Sequence, residues 1–390
     1  MMTCMLRYQI LVALLHFLVF LIGAGIGSFL NVVIHRMPRG LSVNEPRRSF
    51  CPSCRWQIPW HQNLPVLSWL FLRGRCANCR APIPARYLVV EIVTGLLIYA
   101  VFLRFGGDWA MAADWGPRVL CYWVFTALLV AGTFIDIEHY LLPHPITIGG
   151  TVAGLLCATL LPDLLGQETR LYGFLVSFGS AALGLGGLWL VVELGKLAFG
   201  RKRHRFDGQQ PWSVTQPDDS LPPVVTLAGE EYAWEDLFSR ASDRLVLACS
   251  RLKTNAGEWR DASVELWAEK LVVRPAGGQV REFRIEDVTL LEGTASEVVI
   301  PREAMGFGDV LFLMMIGAFL GWQAVILTVF AASVLGTLVS GATRLLGLAA
   351  WGSKLPFGPY LAGGALVWLF RGPELLAWYL GKLRPPGFDV

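Results

Sequence analysis

The sequence predicts an all-α polytopic membrane protein of about eight transmembrane helices, with a cytosolic zinc loop and a small β-containing cytosolic insert. Three observations lead there. Of 390 residues, 54% are hydrophobic and 16% charged, and the mean hydropathy is +0.50; water-soluble chains of this length are more polar. Apolar runs near the length that crosses a bilayer recur along the chain. Two polar segments interrupt them, one rich in Arg and Cys, the other alternating between apolar and polar residues. The net charge of +3 is small, and the expected partner is the lipid bilayer, with no nucleic acid.

The first span covers 9–35. It lacks a basic n-region and a small-residue cleavage site, and it runs directly into "GSFLNVVIHRMP", so it reads as a retained helix. The loop 36–86 follows with Arg36, Arg39, Arg47, Arg48, Arg55, Arg73, Arg75, Arg80 and Arg86 against Glu45 alone. The positive-inside rule places this loop in the cytoplasm. Spans 87–105, 117–136, 146–162 and 171–199 come next, then a polar insert at 200–305. Spans 309–320, 322–344 and 357–380 complete the set; the sixth is short and its boundary with the seventh is soft. Alternation puts the N-terminus and the links 106–116 and 163–170 outside. It puts 137–145 and 200–305 inside, and "RKRHR" at 201–205 agrees independently. The domains are therefore 1–35, the zinc loop 36–86, helices two to five in 87–199, the insert 200–305, and helices six to eight in 306–390.

The insert begins with "DGQQPWSVTQPDDSLPP", which reads as a linker. "ASVELWAEKLVVRP", an "AGGQ" turn and "VREFRIEDVTLLEG" then alternate with period two around a Gly-Gly turn, the pattern of a β-hairpin. No internal repeat or low-complexity tract is evident.

The cytosolic loop holds Cys51 and Cys54 in "CPSC" and Cys76 and Cys79 in "CANC", with 21 residues between the pairs. Two such knuckles suit a tetrahedral Zn²⁺ held by four thiolates. Neighbouring arginines stabilise the thiolates. A reducing compartment argues against two disulfides, leaving unliganded or redox cysteines as the alternative. A site of four thiolates is closed, so the metal is structural. Cys4, Cys121, Cys157 and Cys249 are scattered, and those in the spans read as small packing residues.

Two carboxylates stand at membrane boundaries. Asp136 closes the third span in "FIDIEHYLLPHP", and Asp309 opens the sixth in "GFGDV". By the orientation above, both lie at the cytoplasmic face. An ionisable group there is costly and marks function. Two carboxylates held together cannot both ionise, and such a pair supplies one base and one acid. Gly306 and Gly308 suit this role, since glycine lets a substrate strand approach closely. A helix starting near Asp309 places its positive end there. The plainer reading of Asp309 is a helix N-cap, and that of Glu138 is a solvated acid. His139 and His144 lack a third metal ligand and read as loop histidines.

In their order, "GSFLNVVIHRMP", the two knuckles with "NLPVLSWLFLRGRC" between them, "RYLVVE", "FIDIEHYLLP", "EAMGFGDV" and "LPFGPYLAGGAL" resemble the type IV prepilin leader peptidases, membrane aspartyl proteases of the GxGD class. The resemblance covers nearly the whole chain except 200–305. It implies cleavage of a basic leader from type IV prepilins or type II secretion pseudopilins in the bacterial inner membrane, on the cytoplasmic side, after a glycine. It implies that Asp136 and Asp309 are the catalytic acids, with Glu138, Gly306 and Gly308 in support, and that the four loop cysteines bind zinc. It further implies N-methylation of the new terminus with S-adenosylmethionine. No GxGxxG motif marks a cofactor site; Asn31, Trp60, Asn63, Arg73, Arg86 and Glu91 are candidates, against a reading as packing or membrane-facing residues. Two departures stand out. His144 replaces an Asp common after "LLP", and Leu311 replaces a Lys common after the GxGD motif.

Two other classes compete. Intramembrane acids also serve proton-coupled transporters, but here both lie at one face and no inverted repeat is visible. An inactive scaffold would make the insert the working part. The sequence argues against a zinc metalloprotease, because His-Glu-x-x-His is lacking and four thiolates leave no open position.

Overall fold

The computed structural model describes residues 2–46, 48–107, 112–199, 201–216, 222–238, 243–301, 306–347 and 355–383. In chain order the elements are helices α1 (Met2–Arg36), α2 (Leu67–Phe71), α3 (Arg86–Phe105), α4 (Ala112–His139), α5 (His144–Leu160) and α6 (Arg170–Phe199). Strands β1 (Arg201–Thr215), β2 (Val224–Leu227) and β3 (Glu230–Ala233) follow, then the single turn α7 (Trp234–Leu237). Next come β4 (Arg244–Thr254), β5 (Gly257–Trp267), β6 (Lys270–Pro275), β7 (Arg281–Arg284) and β8 (Leu291–Pro301). Helices α8 (Phe307–Leu320), α9 (Trp322–Leu345) and α10 (Gly358–Leu383) close the chain. Two compact units result: 1–189 with 306–390, and 190–305.

In the first unit each expected span falls on a helix. Among the described residues, five helices (α1, α3, α4, α6 and α9) are long and apolar enough to cross a membrane, and α5 and α8 are shorter apolar helices. The first helix begins at Met2, earlier than expected. The boundary that is soft in the sequence is sharp in three dimensions: Gly321, at φ 85°, ends α8 and starts α9.

Glycines bring the helices into contact. A methyl group at Gly23 of α1 would lie 2.9 Å from the Gly95 Cα of α3, and one at Gly27 would lie 2.8 Å from the Glu91 Cα. Without apolar collapse in lipid to drive association, such close backbone approach supplies the attraction. Helix α8 lies at the centre, with Val310, Phe312, Leu313, Met315, Ile316 and Ala318 all fully enclosed. Its 14 residues reach about 21 Å at 1.5 Å per residue, less than a hydrocarbon core of about 30 Å. A short helix is tolerated at that depth when protein surrounds it.

The second unit is more extensive than a single hairpin. Its strands form one antiparallel sheet in the order β3-β2-β1-β8-β4-β5-β6-β7. The β6–β7 hairpin is the one expected, but "ASVELWAEKLVVRP" itself folds into a second hairpin, β5–β6. The expected linker is corrected: through Thr215 it is strand, because β1 pairs along β8 with Trp212 opposite Gly293. Residues 217–221 of that stretch lie outside the described set. Alternation along β4 buries Leu245, Leu247, Cys249 and Leu252 with Val264, Leu266, Leu271 and Val298 of neighbouring strands.

Candidate active site and metal centre

Asp136 sits one turn before the end of α4 and is 5% exposed; Asp309 is the third residue of α8 and is 8% exposed. The Gly358 N–H, at the first residue of α10, donates to Asp136 Oδ2 at 2.8 Å. This helix start therefore presents its positive end to a carboxylate. No side chain fits at Gly358, since a methyl there would lie 2.8 Å from Asp136 Oδ2 and 3.2 Å from Cγ. The two acidic helices meet at their ends. A methyl at Gly132 would lie 2.8 Å from the Phe312 ring, and one at Gly308 would lie 2.9 Å from Leu142 Cβ, just past the end of α4. The Asp136 charge is within electrostatic reach of Asp309. Asp309 Oδ1 is buried with no hydrogen-bond partner among the described residues. One carboxylate is thus anchored by a backbone amide, while the other presents an unpaired oxygen.

Sequence reasoning cited "LPFGPYLAGGAL" without assigning Gly358 a role. The available signal was a glycine between Phe357 and Pro359 at the start of an apolar run, where a helix N-terminus is expected. The flanking glycines differ from expectation. Gly306 has φ −67°, which any residue adopts, and the missing side chain of Gly308 is used by Leu142. Glu138 pairs with Arg86 at the start of α3 and lies 3.9 Å from His139 Nε2, so it ties α4 to α3. Leu311 is buried and His144 is exposed at the first turn of α5. Glu303–Met305 lie outside the described residues.

The four loop cysteines converge. Their sulfurs lie within 4.8 Å of one another, and Cys51 Sγ is 3.8 Å from Cys79 Sγ. A tetrahedron with Zn–S bonds of about 2.3 Å has S–S edges of about 3.8 Å, so the donor set fits. The two knuckles repeat one design. Arg55 N–H bonds Cys51 O while Arg55 holds φ 57°; Arg80 N–H bonds Cys76 O while Arg80 holds φ 61°. Single β-bridges, Phe50 to Gln57 and Arg75 to Pro82, close each half. The Trp56 amide pulls the Cys54 thiol down to about 7 and the Cys79 amide lowers Cys76, while against the Ala81 amide the neighbouring Cys54, Cys76 and Cys51 thiols push Cys79 up to about 11. Hydrogen bonds to sulfur favour the thiolate that a metal needs. Among the described residues this is the one cluster of metal-ligating side chains.

Between this loop, the end of α1 and the start of α3 lies a cavity of about 210 Å³, lined by Asn31, Arg36, Gln62, Asn63, Tyr87 and Glu91 among others. Asn31 donates to Tyr87 O at 3.0 Å, yet among the described residues its Oδ1 has no partner and Gln62 Oε1 is equally orphaned. Glu91 Oε2 accepts the Val66 N–H at 2.7 Å. Buried acceptors without donors are rare, and these two can each accept from a donor that enters the cavity, water included. Of the six sequence candidates, Asn31, Asn63 and Glu91 line this cavity. Trp60, Arg73 and Arg86 do not; Trp60 is 79% exposed.

Comparison with known proteins gives a consistent picture. Residues 21–105 match the bacterial peptidase A24 N-terminal domain, and residues 287–341 match the type IV leader peptidase family. The first segment contains the four cysteines and the second Asp309; Asp136 falls between them. The chain is 30% identical over 386 residues to the prepilin leader peptidase/N-methyltransferase of Aeromonas hydrophila, with 93% of each covered. Identity to the protein of that description from Pseudomonas aeruginosa is 27% over 384 residues, covering 92% of this chain and 91% of the relative. For the one from Myxococcus xanthus it is 39% over 189 residues, covering 45% and 54%. No solved structure matches the chain.

Proposed function

This chain belongs to the type IV leader peptidase family, and on that premise we propose that it is a membrane aspartyl endopeptidase which removes the basic leader of prepilins or pseudopilins and then N-methylates the new terminus. The observation that carries the peptidase reading is the buried pair, Asp136 held by the Gly358 amide and Asp309 with an unpartnered oxygen. One carboxylate takes a proton from the attacking water, and the other delivers one to the peptide carbonyl oxygen. Collapse of the tetrahedral adduct then breaks the C–N bond, and the amine leaves with a proton from the pair.

In this reading eight helices span the inner membrane with the acids, the cysteine loop and the 200–305 insert on the cytoplasmic side. The arginine-rich loop supports that orientation. The substrate's apolar helix lies in the bilayer, and its scissile bond meets the acids at the interface. Zn²⁺ on Cys51, Cys54, Cys76 and Cys79 is structural, holding the two knuckles together. S-adenosylmethionine, when bound, supplies an electrophilic methyl group. The chemistry of the lining suits it: Asn31 and Gln62, whose side-chain oxygens have no partner among the described residues, would accept from its amino groups, Glu91 would offer a carboxylate to its cationic end, and Arg36 a cation to its carboxylate. Such a donor-bearing ligand would satisfy both acceptors.

Co-expression of a prepilin with wild type, Asp136→Asn and Asp309→Asn tests the assignment by mass spectrometry of the product. The leader is lost only with wild type, and the product gains the mass of one methyl group. A processed pilin from either variant overturns the acid pair.

A further inference from the structure

Cys121 of α4 and Cys157 of α5 are remote in sequence from the metal loop, and sequence reasoning treats them as separate packing residues. The structure brings them together. A methyl at Gly150 of α5 would lie 3.0 Å from Leu128 Cδ1 of α4. From that contact, seven residues along each antiparallel helix, two turns and therefore the same face, lead to Cys121 on one helix and Cys157 on the other. The two thiols are near enough to influence each other's ionisation. One turn further out, Arg118 pairs with Asp163, and both side chains are exposed. Both cysteines are half-buried. They lie at the ends of α4 and α5 opposite Asp136, next to a polar boundary rather than deep in the bilayer.

We propose that Cys121 and Cys157 form a reversible disulfide that staples α4 to α5 at the outer face of the membrane. The location rests on the orientation given under Proposed function; the pairing rests on the helix register. Outside the cytoplasmic membrane, disulfides form and persist. The oxidant is an external disulfide, RSSR. The thiolate of one cysteine attacks it and releases one RSH; the second cysteine attacks the mixed disulfide, forms the Cys121–Cys157 bond and releases the second RSH. Two electrons pass from the pair to RSSR, and the two thiol protons leave with the products.

The test uses the full-length chain in membranes, treated with glutathione disulfide or with the permeant oxidant diamide, then alkylated with a maleimide, digested and sequenced by mass spectrometry. The expected result is loss of maleimide labelling at both cysteines and a peptide pair joined through them. Dithiothreitol reverses it, and Cys157→Ala abolishes it while leaving leader cleavage unchanged. Equal labelling of both thiols with and without either oxidant overturns the proposal. The same peptide pair is sought in cells quenched with maleimide before lysis. Joined there, it supports both the staple and the outward placement. Joined only after added oxidant, it supports the dithiol pair and removes the outward placement, so the two readings fail separately.

Discussion

Each half of the cysteine cluster is completed by a few neighbouring residues: the Cys51 carbonyl meets the Arg55 amide, and the Cys76 carbonyl meets the Arg80 amide. The acid site is assembled differently. Asp136 and the Gly358 amide that holds it are 222 residues apart, and Asp309 comes from a third helix. A local motif carries its geometry with it. A non-local site depends on helix packing, so changes that shift packing by a fraction of an ångström fall on the acids and leave the cysteines alone.

The largest expected effect is loss of an acid. Asp309→Asn or Asp136→Asn lowers the cleavage rate by about 10²–10⁴-fold, the share that acid–base transfer supplies, with helical content by circular dichroism unchanged. Retained cleavage in either variant would break the comparison at its root.

Next is Gly358→Ala. The added methyl meets Asp136 Oδ2 at 2.8 Å and displaces it, so the cleavage rate falls by about 10²-fold, as misplacement of about 1 Å can cost. Gly306→Ala is the control. Its methyl has Asp309 Oδ2 at 3.7 Å as its nearest neighbour, an ordinary contact, and it retains most of the wild-type rate. Equal losses in both would show that glycine is needed for chain flexibility rather than for room.

The cysteine loop responds to other treatments. A zinc chelator, or Cys51→Ser, removes the metal measured by elemental analysis and exposes the loop to protease. Methyl transfer falls with it, while leader cleavage persists, because the acids do not depend on local closure of the knuckles. Parallel loss of both activities would mean that the loop also positions the acids.

The smallest effect belongs to the link between the two regions. Arg86 and Glu138 join α3 to α4 by an ion pair with side chains 19% and 29% exposed. Partial exposure limits its worth to about 0–1 kcal/mol. A double-mutant cycle with Arg86→Ala and Glu138→Ala, followed by thermal unfolding in detergent, should find coupling in that range; a larger value would make the pair a strut of the active site.

Much of this was legible along the chain. Apolar runs located the helices, the knuckle spacing located the four cysteines that converge, and alternation around Gly277 located the β6–β7 hairpin. The linker expectation failed because β1 owes its extended form to β8: Arg201 pairs with Pro301, and no local pattern reports a partner that far along the chain. Cys121 and Cys157 looked unrelated for the same reason, since only the α4–α5 register aligns them.

Composition and local pattern determined that the chain crosses a membrane, where its helices run, and that four thiols form two matched knuckles. Those properties depend on solvent preference and on hydrogen bonds between near neighbours, which short segments encode. Tertiary structure alone decided that Asp136 faces the Gly358 amide, that among the described residues Asp309 keeps an unpaired oxygen and Asn31 and Gln62 turn orphaned acceptors to one cavity, and that two distant cysteines fall on facing positions of α4 and α5. These follow from how closely glycine-faced helices approach, a property of paired surfaces that neither surface contains alone.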